Sequence, residues 1–207
     1  MVLYPNCSSV NIMGTVLAGG TSRRMGQTDK FLLPLGNRRI IDHVIAQATP
    51  QVRSLVINAN GPSERLGLPG HVVIRDEQED GGPLAGLIAS LKHVQGQTNW
   101  LMTFAADTPF IPDTLVMNLA SLAQHHQVIY AQQNGSAHYT LSLWSTDTTA
   151  ALEHAFANGM RSLHEAVLLF HNCAWQAPTN PMSFFNINTP QDLQNAQAYL
   201  RTLDAHS

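Results

Sequence analysis

Short, almost unbroken apolar runs alternate with stretches of helical period along most of the chain, and this alternation leaves few folds open. Residues 11–17 (NIMGTVL), 54–58 (SLVIN), 71–75 (HVVIR), 100–106 (WLMTFAA) and 128–131 (VIYA) are apolar and rich in β-branched side chains. Each is too short for a helix and reads as a buried strand. Between them, residues 39–49 set Ile40, Ile41, Val44, Ile45 and Ala48 on one helical stripe, and residues 84–94 repeat the period through Leu84, Leu87, Ile88 and Leu91. A further helix is expected over 112–125, with Pro112 near its first turn. Strands that are apolar on both faces and joined through helices predict a three-layer α/β/α fold with a mainly parallel, twisted, Rossmann-like sheet. The last third is less regular, with a strand over 140–144 and helices over 147–157, 161–170 and 189–200. No repeat, low-complexity tract or linker interrupts the 207 residues, so one domain spanning 1–207 is expected.

Composition narrows the partners. Charged residues make up 12% of the chain, with 11 Lys plus Arg against 14 Asp plus Glu and a formal net charge of −3. Nucleic-acid binders carry a basic excess, so nucleic acid is not expected as a partner. There is no run of about 18 apolar residues and no basic N-terminal region before an apolar core, so neither a membrane span nor a signal peptide is expected. Two cysteines, Cys7 and Cys173, make no disulfide framework, and the chain lacks CxxC and HExxH zinc spacings. A reducing cytoplasm is the expected compartment. Of the ten His, His125 and His126 are expected at a helix C-terminus, where partial positive charge suits the dipole.

In open α/β sheets ligands bind beyond the C-terminal strand ends. Those ends hold the informative residues: a glycine loop after residue 17, Asn58, Asp76 and Asp107. The segment 17–30 reads LAGGTSRRMGQTDK. Gly19, Gly20 and Gly26 let successive backbone N–H groups face one concavity, which makes an anion nest. Arg23, Arg24 and Lys30 place three of the chain's eleven basic residues within eight positions beside it. Arg clamps phosphate oxygens through its fork and Lys adds a point charge, which is what a triphosphate needs. GxxxxGK[ST] and GxGxxG are both absent, so the loop is neither a Walker loop nor a dinucleotide fingerprint. Asp107, in FAADTPF, ends an apolar strand; near phosphates its natural partner is Mg²⁺, held by one or two carboxylates plus substrate oxygens. An Asx turn or helix cap before Pro109 is the other reading of that residue. Asn58 and Asn60 could equally shape a turn, and Asn188-Thr189-Pro190 is a good helix N-cap.

Taken together, LAGG-x-S-x-RMG-x-x-DK, NAN, GPLAG, the strand-terminal Asp of DTP and a late NINTP resemble the molybdenum cofactor guanylyltransferase family of nucleotidyltransferases, from about Thr15 to the last helix. The resemblance implies transfer of GMP from GTP to molybdopterin-bound molybdenum cofactor, with release of pyrophosphate and with Mg²⁺ as cofactor. It implies that the backbone around Leu17, Ala18, Gly19 and Gly20 touches the nucleotide and that Arg24 and Lys30 hold its phosphates. Asn58 and Asp76 would hold the nucleoside, and Gly82, Pro83 and Leu84 of GPLAG would lie against guanine. Asp107 would bind the metal, so that Lys30, Arg24 and Asp107 carry catalysis. Arg161 and Ser162 would lie on the pterin side, as would Asn186 and Asn188, near the pterin phosphate or the metal. Residues about 11–110 would then form the nucleotide half and about 111–201 the pterin half. Molybdenum-insertion and acceptor enzymes are the implied partner proteins. The chain departs from the family pattern in the acidic stretch Glu77, Glu79 and Asp80 and in Tyr139 of HYT, where Pro is expected. Cytidylyltransferases of the same cofactor carry LAAG and lack GPLAG, which disfavours them. A sugar-phosphate nucleotidyltransferase and a non-catalytic nucleotide carrier are the remaining alternatives.

Overall fold

A computed structural model of the chain describes residues 11–19, 29–78 and 81–205. Its centre is a seven-stranded sheet in the order β5-β4-β1-β6-β8-β7-β9. The strands are β1 (Ile12–Leu17), β4 (Ser54–Asn58), β5 (Val73–Ile74), β6 (Trp100–Ala105), β7 (Val128–Gln133), β8 (Ser136–Ser145) and β9 (Asn172–Gln176). All pair in parallel except β8, which runs antiparallel to both β6 and β7. A small antiparallel pair, β2 (Pro34–Leu35) and β3 (Arg38–Arg39), lies apart from this sheet.

Helices cover both faces, as the apolar strands require. On one face α1 (Ile40–Ala48) and α3 (Leu115–Ala120) bury Ile41, Val44, Leu115 and Leu119 against Ile12, Val16, Ile57 and Phe104. On the other, α2 (Gly82–Val94), α4 (Thr149–Ala157) and α5 (Leu163–Val167) bury Leu87, Leu91, Leu152 and Val167 with Met13, Leu101 and Trp144. The alternation of Ile12 and Val16 to one side and Met13 to the other follows the two-residue strand period. The last helix, α6 (Pro190–Asp204), packs with Leu35, Ile40 and Ile187 at the edge of this arrangement. The expected three-layer architecture is what the chain adopts.

Several local expectations change. The third strand shrinks to two paired residues, Val73 and Ile74, against Ile57 and Asn58. Strands β7 and β8 form a hairpin turned at Asn134 and Gly135, both left-handed at φ 49° and 82°, the backbone that an Asn-Gly pair favours. Strand β9 was not expected; it is a half-buried edge with polar ends, so its apolar pattern is weak. Helix α3 stops at Ala120, so His125 and His126 lie beyond it: His126 Nδ1 donates to the Leu122 carbonyl and the His125 carbonyl accepts from His171 Nδ1. The helix expected over 161–170 is only Leu163–Val167, because Ser162 caps its start. Among the described residues, no helix is long and apolar enough to cross a membrane.

Candidate functional site

The parallel strands end together. Leu17 lies in register with Asn58 and with Ala105, and Asn58 with Ile74, so the chain leaves β1, β4, β5 and β6 along one edge of the sheet. The order β4-β1-β6 also makes β1 the place where the connections change direction, the position at which open sheets bind ligands. Backbone bonds pin the exits: Ala18 N–H donates to the Asn58 carbonyl at 2.8 Å and Ala106 N–H to the Leu17 carbonyl at 3.2 Å. Gly20 and Arg24, expected in the phosphate loop, lie outside the described residues, as do Arg23, Gly26, Glu79 and Asp80.

Just after Asp29, the Lys30 ammonium donates to Asp107 Oδ2 at 2.5 Å and to Asn188 Oδ1 at 2.6 Å. Three segments far apart in sequence therefore meet at one cation. The segment that carries Asn188 is held alongside Asp107: Ile187 N–H donates to the Asp107 carbonyl at 3.0 Å and Phe184 N–H to the Phe110 carbonyl at 3.1 Å. Thr108, fully buried, donates its hydroxyl to Asn186 Oδ1 at 2.5 Å. Thr189 is the N-cap of α6, accepting from Asp192 N–H, and Asp192 Oδ2 accepts from the N–H groups of Asn188 and Thr189. Because Thr189 does the capping, the Asn188 side chain is left for Lys30. Burial alone would push the Asp192 carboxyl up. Its hydrogen bonds with Thr189 and Asn188, helped by the Lys30 charge, outweigh that and hold it below the usual carboxylate range.

The second half of the edge is an amide–carboxylate clamp. Asn58, 1% exposed at the end of β4, donates from Nδ2 to Asp76 Oδ1 at 2.7 Å. Asn60 donates from Nδ2 to Asp76 Oδ2 at 2.9 Å and accepts from Asp76 N–H through Oδ1 at 3.0 Å. Both carboxylate oxygens are thus fixed by neutral donors. A Cβ added at Gly19 would lie 3.6 Å from Asn58 Oδ1 and 3.8 Å from Asp76 Oδ2, which places Gly19 directly against this clamp. Helix α2 closes the other side. A Cβ at Gly86 would come within 2.2 Å of Asn58 Oδ1, so only glycine lets the helix approach the buried amide this closely. Gly82 and Pro83 are exposed in the first turn of α2, while Leu84 is fully buried, so the expected contact of GPLAG with a ligand falls to Gly82 and Pro83 and Leu84 supports them from the core.

Arg161 and Ser162 sit beside that same turn: the Arg161 carbonyl is 4.0 Å from a Cβ built at Gly82. Arg161 donates from Nη1 to the carbonyls of Phe156 and Met160, both at 2.7 Å, with its guanidinium 4.1 Å above the Phe156 ring. Ser162 accepts from Glu165 N–H as the N-cap of α5. Asn186 and Asn188 are brought to Asp107 and Lys30; no contact joins Arg161 or Ser162 to that group among those described. Thr108, Arg65 and Asp29 take part in the polar network of this edge without having been singled out. Thr108 is an ordinary turn residue in sequence, Asp29 was visible only as the first letter of DK, and Arg65 belongs to no motif.

The donor chemistry suits a hard cation. The Lys30 ammonium already occupies a position bracketed by a carboxylate oxygen and an amide oxygen, and such oxygens are the ligands Mg²⁺ prefers. Among the described residues no group of three or more His, Cys, Asp or Glu side chains is assembled for a metal. Among the described residues, Asp107 and Asn188 are the side chains that could hold such a cation, together with oxygens of a phosphate ligand.

Comparison with known proteins places the chain in a family. Residues 14–172 match the family described as the MobA-like NTP transferase domain. The chain is 40% identical over 194 residues to the molybdenum cofactor guanylyltransferase of Rhodobacter capsulatus, covering 93% of this chain and 98% of the relative. It is 37% identical over 205 residues to the protein of that name from Mesorhizobium japonicum, again covering 93% and 98%. Among solved structures, molybdopterin-guanine dinucleotide biosynthesis protein A from Archaeoglobus fulgidus shares the fold with a TM-score of 0.76 at 23% identity, over 92% of this chain and 99% of that one. With a family match across three quarters of its length and relatives this similar along nearly all of it, the chain belongs to the MobA-like nucleotidyltransferases.

Proposed function

We propose that the chain transfers GMP from GTP to the terminal phosphate of molybdopterin-bound molybdenum cofactor, forming the guanine dinucleotide cofactor and pyrophosphate in a Mg²⁺-dependent reaction. The observation that carries this reading is the meeting of Lys30, Asp107 and Asn188 at one point on the strand-end edge, 2.5 and 2.6 Å apart. It joins the lysine that closes the glycine-rich segment, the strand-terminal acid and the late NINTP segment, three of the motifs that carry the sequence's resemblance to the family.

In this reading the backbone of Leu17, Ala18, Gly19 and Gly20 and the side chains of Arg24 and Lys30 take the triphosphate. Asn58 and Asp76 hold the nucleoside, and the exposed Gly82 and Pro83 at the start of α2, seated on the buried Leu84, face guanine, whose ring N–H and amino group need acceptors. Asp107 and Asn188 would hold Mg²⁺, which when bound neutralises phosphate charge and polarises the reacting centre. Asn186 faces the pterin substrate, while Arg161 and Ser162, engaged in their own turns, border that side without touching it. A phosphate oxygen of molybdopterin attacks the α-phosphorus of GTP in line, the bond to the β-phosphate oxygen breaks, and pyrophosphate departs. The nucleophile is already an anion, so no general base has to be supplied. The protein's task is placement and charge compensation. Lys30 can follow the negative charge onto pyrophosphate once its contact with Asp107 is released. Residues 11–110 act as the nucleotide half and 111–201 as the pterin half of one domain, working in the cytoplasm beside the enzymes that supply and receive the cofactor.

The test is pyrophosphate release by the purified protein with molybdopterin, Mg²⁺ and each of GTP, CTP, ATP and UTP. Release is expected with GTP alone and is expected to stop when the metal is chelated. Equal turnover of CTP would overturn the guanine assignment, and full turnover in chelator would overturn the metal.

A further inference from the structure

The geometry points to Arg65 as a positioning residue that holds the phosphate-binding and nucleoside-binding halves of the site in register. Arg65 lies in the 3-10 turn Ser63–Leu66 that follows β4. Its Nη2 donates to the Asn60 carbonyl at 2.5 Å, and its Nη1 pairs with the Asp29 carboxylate. Asn60 is the residue whose side chain grips Asp76 through two hydrogen bonds. Asp29 immediately precedes Lys30. One guanidinium therefore ties the backbone beside the nucleoside clamp to the residue from which the phosphate-side lysine springs.

The surroundings are built for this. Gly61 is left-handed at φ 82°, and a Cβ there would stand 3.3 Å from Arg65 Nε, so the glycine makes both the turn and the room for the side chain to fold back. The turn is anchored by Leu66, which is 1% exposed, and by Arg39, which donates to the carbonyls of Leu66 and Gly67. Asp29 stands at the N-cap of the turn Lys30–Leu32, where a carboxylate ordinarily caps its own N–H groups, yet its side chain makes no cap bond there and is given to Arg65. The two side chains are 35% and 19% exposed, a setting in which an ion pair adds little to stability. Its contribution lies in placement: a ligand that spans two subsites gains affinity only if the subsites are held at the right separation.

This inference rests on the proposed nucleotide site, and the experiment separates the two. Binding of GTP, GMP and inorganic pyrophosphate, with Mg²⁺, is measured by calorimetry on the full chain, on Arg65→Met, on Asp29→Asn and on the double variant. GTP spans both halves; GMP and pyrophosphate each engage mainly one. Each single variant is expected to weaken GTP about tenfold while GMP and pyrophosphate change less than about threefold, and the double variant should be no worse than the singles, because both remove the same link. Asp29→Asn keeps the side-chain shape and decides the matter if Arg65→Met folds poorly. GTP affinity within about twofold of wild type, or an equal loss for all three ligands, overturns the role of Arg65 alone. Wild-type protein that binds no GTP overturns the nucleotide site and this inference with it.

Discussion

Polar side chains are held differently on the two flanks of the strand-end edge. Around β1, β4 and β6 they reach across the fold: Lys30 to Asp107 and Asn188, Asn58 and Asn60 to Asp76, Thr108 to Asn186. Around the α4–α5 junction Arg161 and Ser162 satisfy their own turns, Arg161 on the carbonyls of Phe156 and Met160 and Ser162 on the N–H of Glu165. Contacts of the first kind exist only once the whole sheet has formed, and they fix side chains before any ligand arrives. Contacts of the second kind finish helix ends and belong to local stability. The flank proposed for the nucleotide is thus preorganised, and Asn186 and Asn188 of the expected pterin side are preorganised with it, whereas Arg161 and Ser162 are engaged in finishing their own turns.

The comparison can be broken most severely at Asp107. Asp107→Ala should lower turnover by more than about a hundredfold, the scale on which preorganised electrostatic groups act, while the melting temperature stays near wild type. Steady-state kinetics beside a thermal melt will show it, and near-normal turnover would mean that the long-range contacts are structural after all. Gly86→Ala comes next. Its Cβ would force the Asn58 amide away from its present place, depriving Asp76 of a donor, so the KM for GTP should rise by about tenfold, with some loss of stability. An unchanged KM would show that the clamp tolerates displacement.

The local flank should respond in the opposite sense. Ser162→Ala removes an N-cap worth about 1 kcal/mol, a melting-temperature shift of about 2–4 °C, and should leave the KM values for both substrates unchanged. A raised KM for molybdopterin in that variant would move Ser162 from helix cap to substrate contact. The smallest effect concerns acid. The Arg39 hydrogen bond, against the opposing effect of burial, holds Asp42 below its ordinary value of 3.8, and Asp192 is held below it by the balance described above. Both carboxyls are depressed on folding, so the stability they add is present above that value and is lost as pH falls through their lower folded values. Burial lowers the His138 pKa from its ordinary 6.5, so thermal melts should decline gently below about pH 6.5 and more steeply below about pH 4, and Asp192→Asn should flatten part of the steeper decline. Melts that stay flat below about pH 4 would overturn the role of the two carboxylates.

Much of this molecule was legible in the residues. The apolar runs ending at Leu17, Asn58 and Ala106 set the parallel sheet, and Pro190 after Thr189 marked the start of the last helix, because burial and helix capping are governed by near neighbours. The edge strand Asn172–Gln176 and the β2–β3 pair were not, since a half-buried or two-residue strand carries little periodic signal. The chemistry of the site divided along the same line. Asp76, Asp107, Lys30 and Asn188 stood out by residue type and by their place at strand or helix ends. Arg65 did not, because its partners lie 36 residues upstream at Asp29 and on a backbone carbonyl of Asn60.

What the amino-acid order determined by itself was the period of each element and the residues stationed at its ends, for these depend on short-range sterics and on burial of apolar surface. Which cation meets which carboxylate was decided only by the tertiary structure. Lys30, Asp107 and Asn188 come within hydrogen-bonding distance because parallel strands end in register and the last loop folds back along one of them. A polar contact between distant residues has no local signature; it gains its strength only where the assembled fold brings its partners together and thins the water between them.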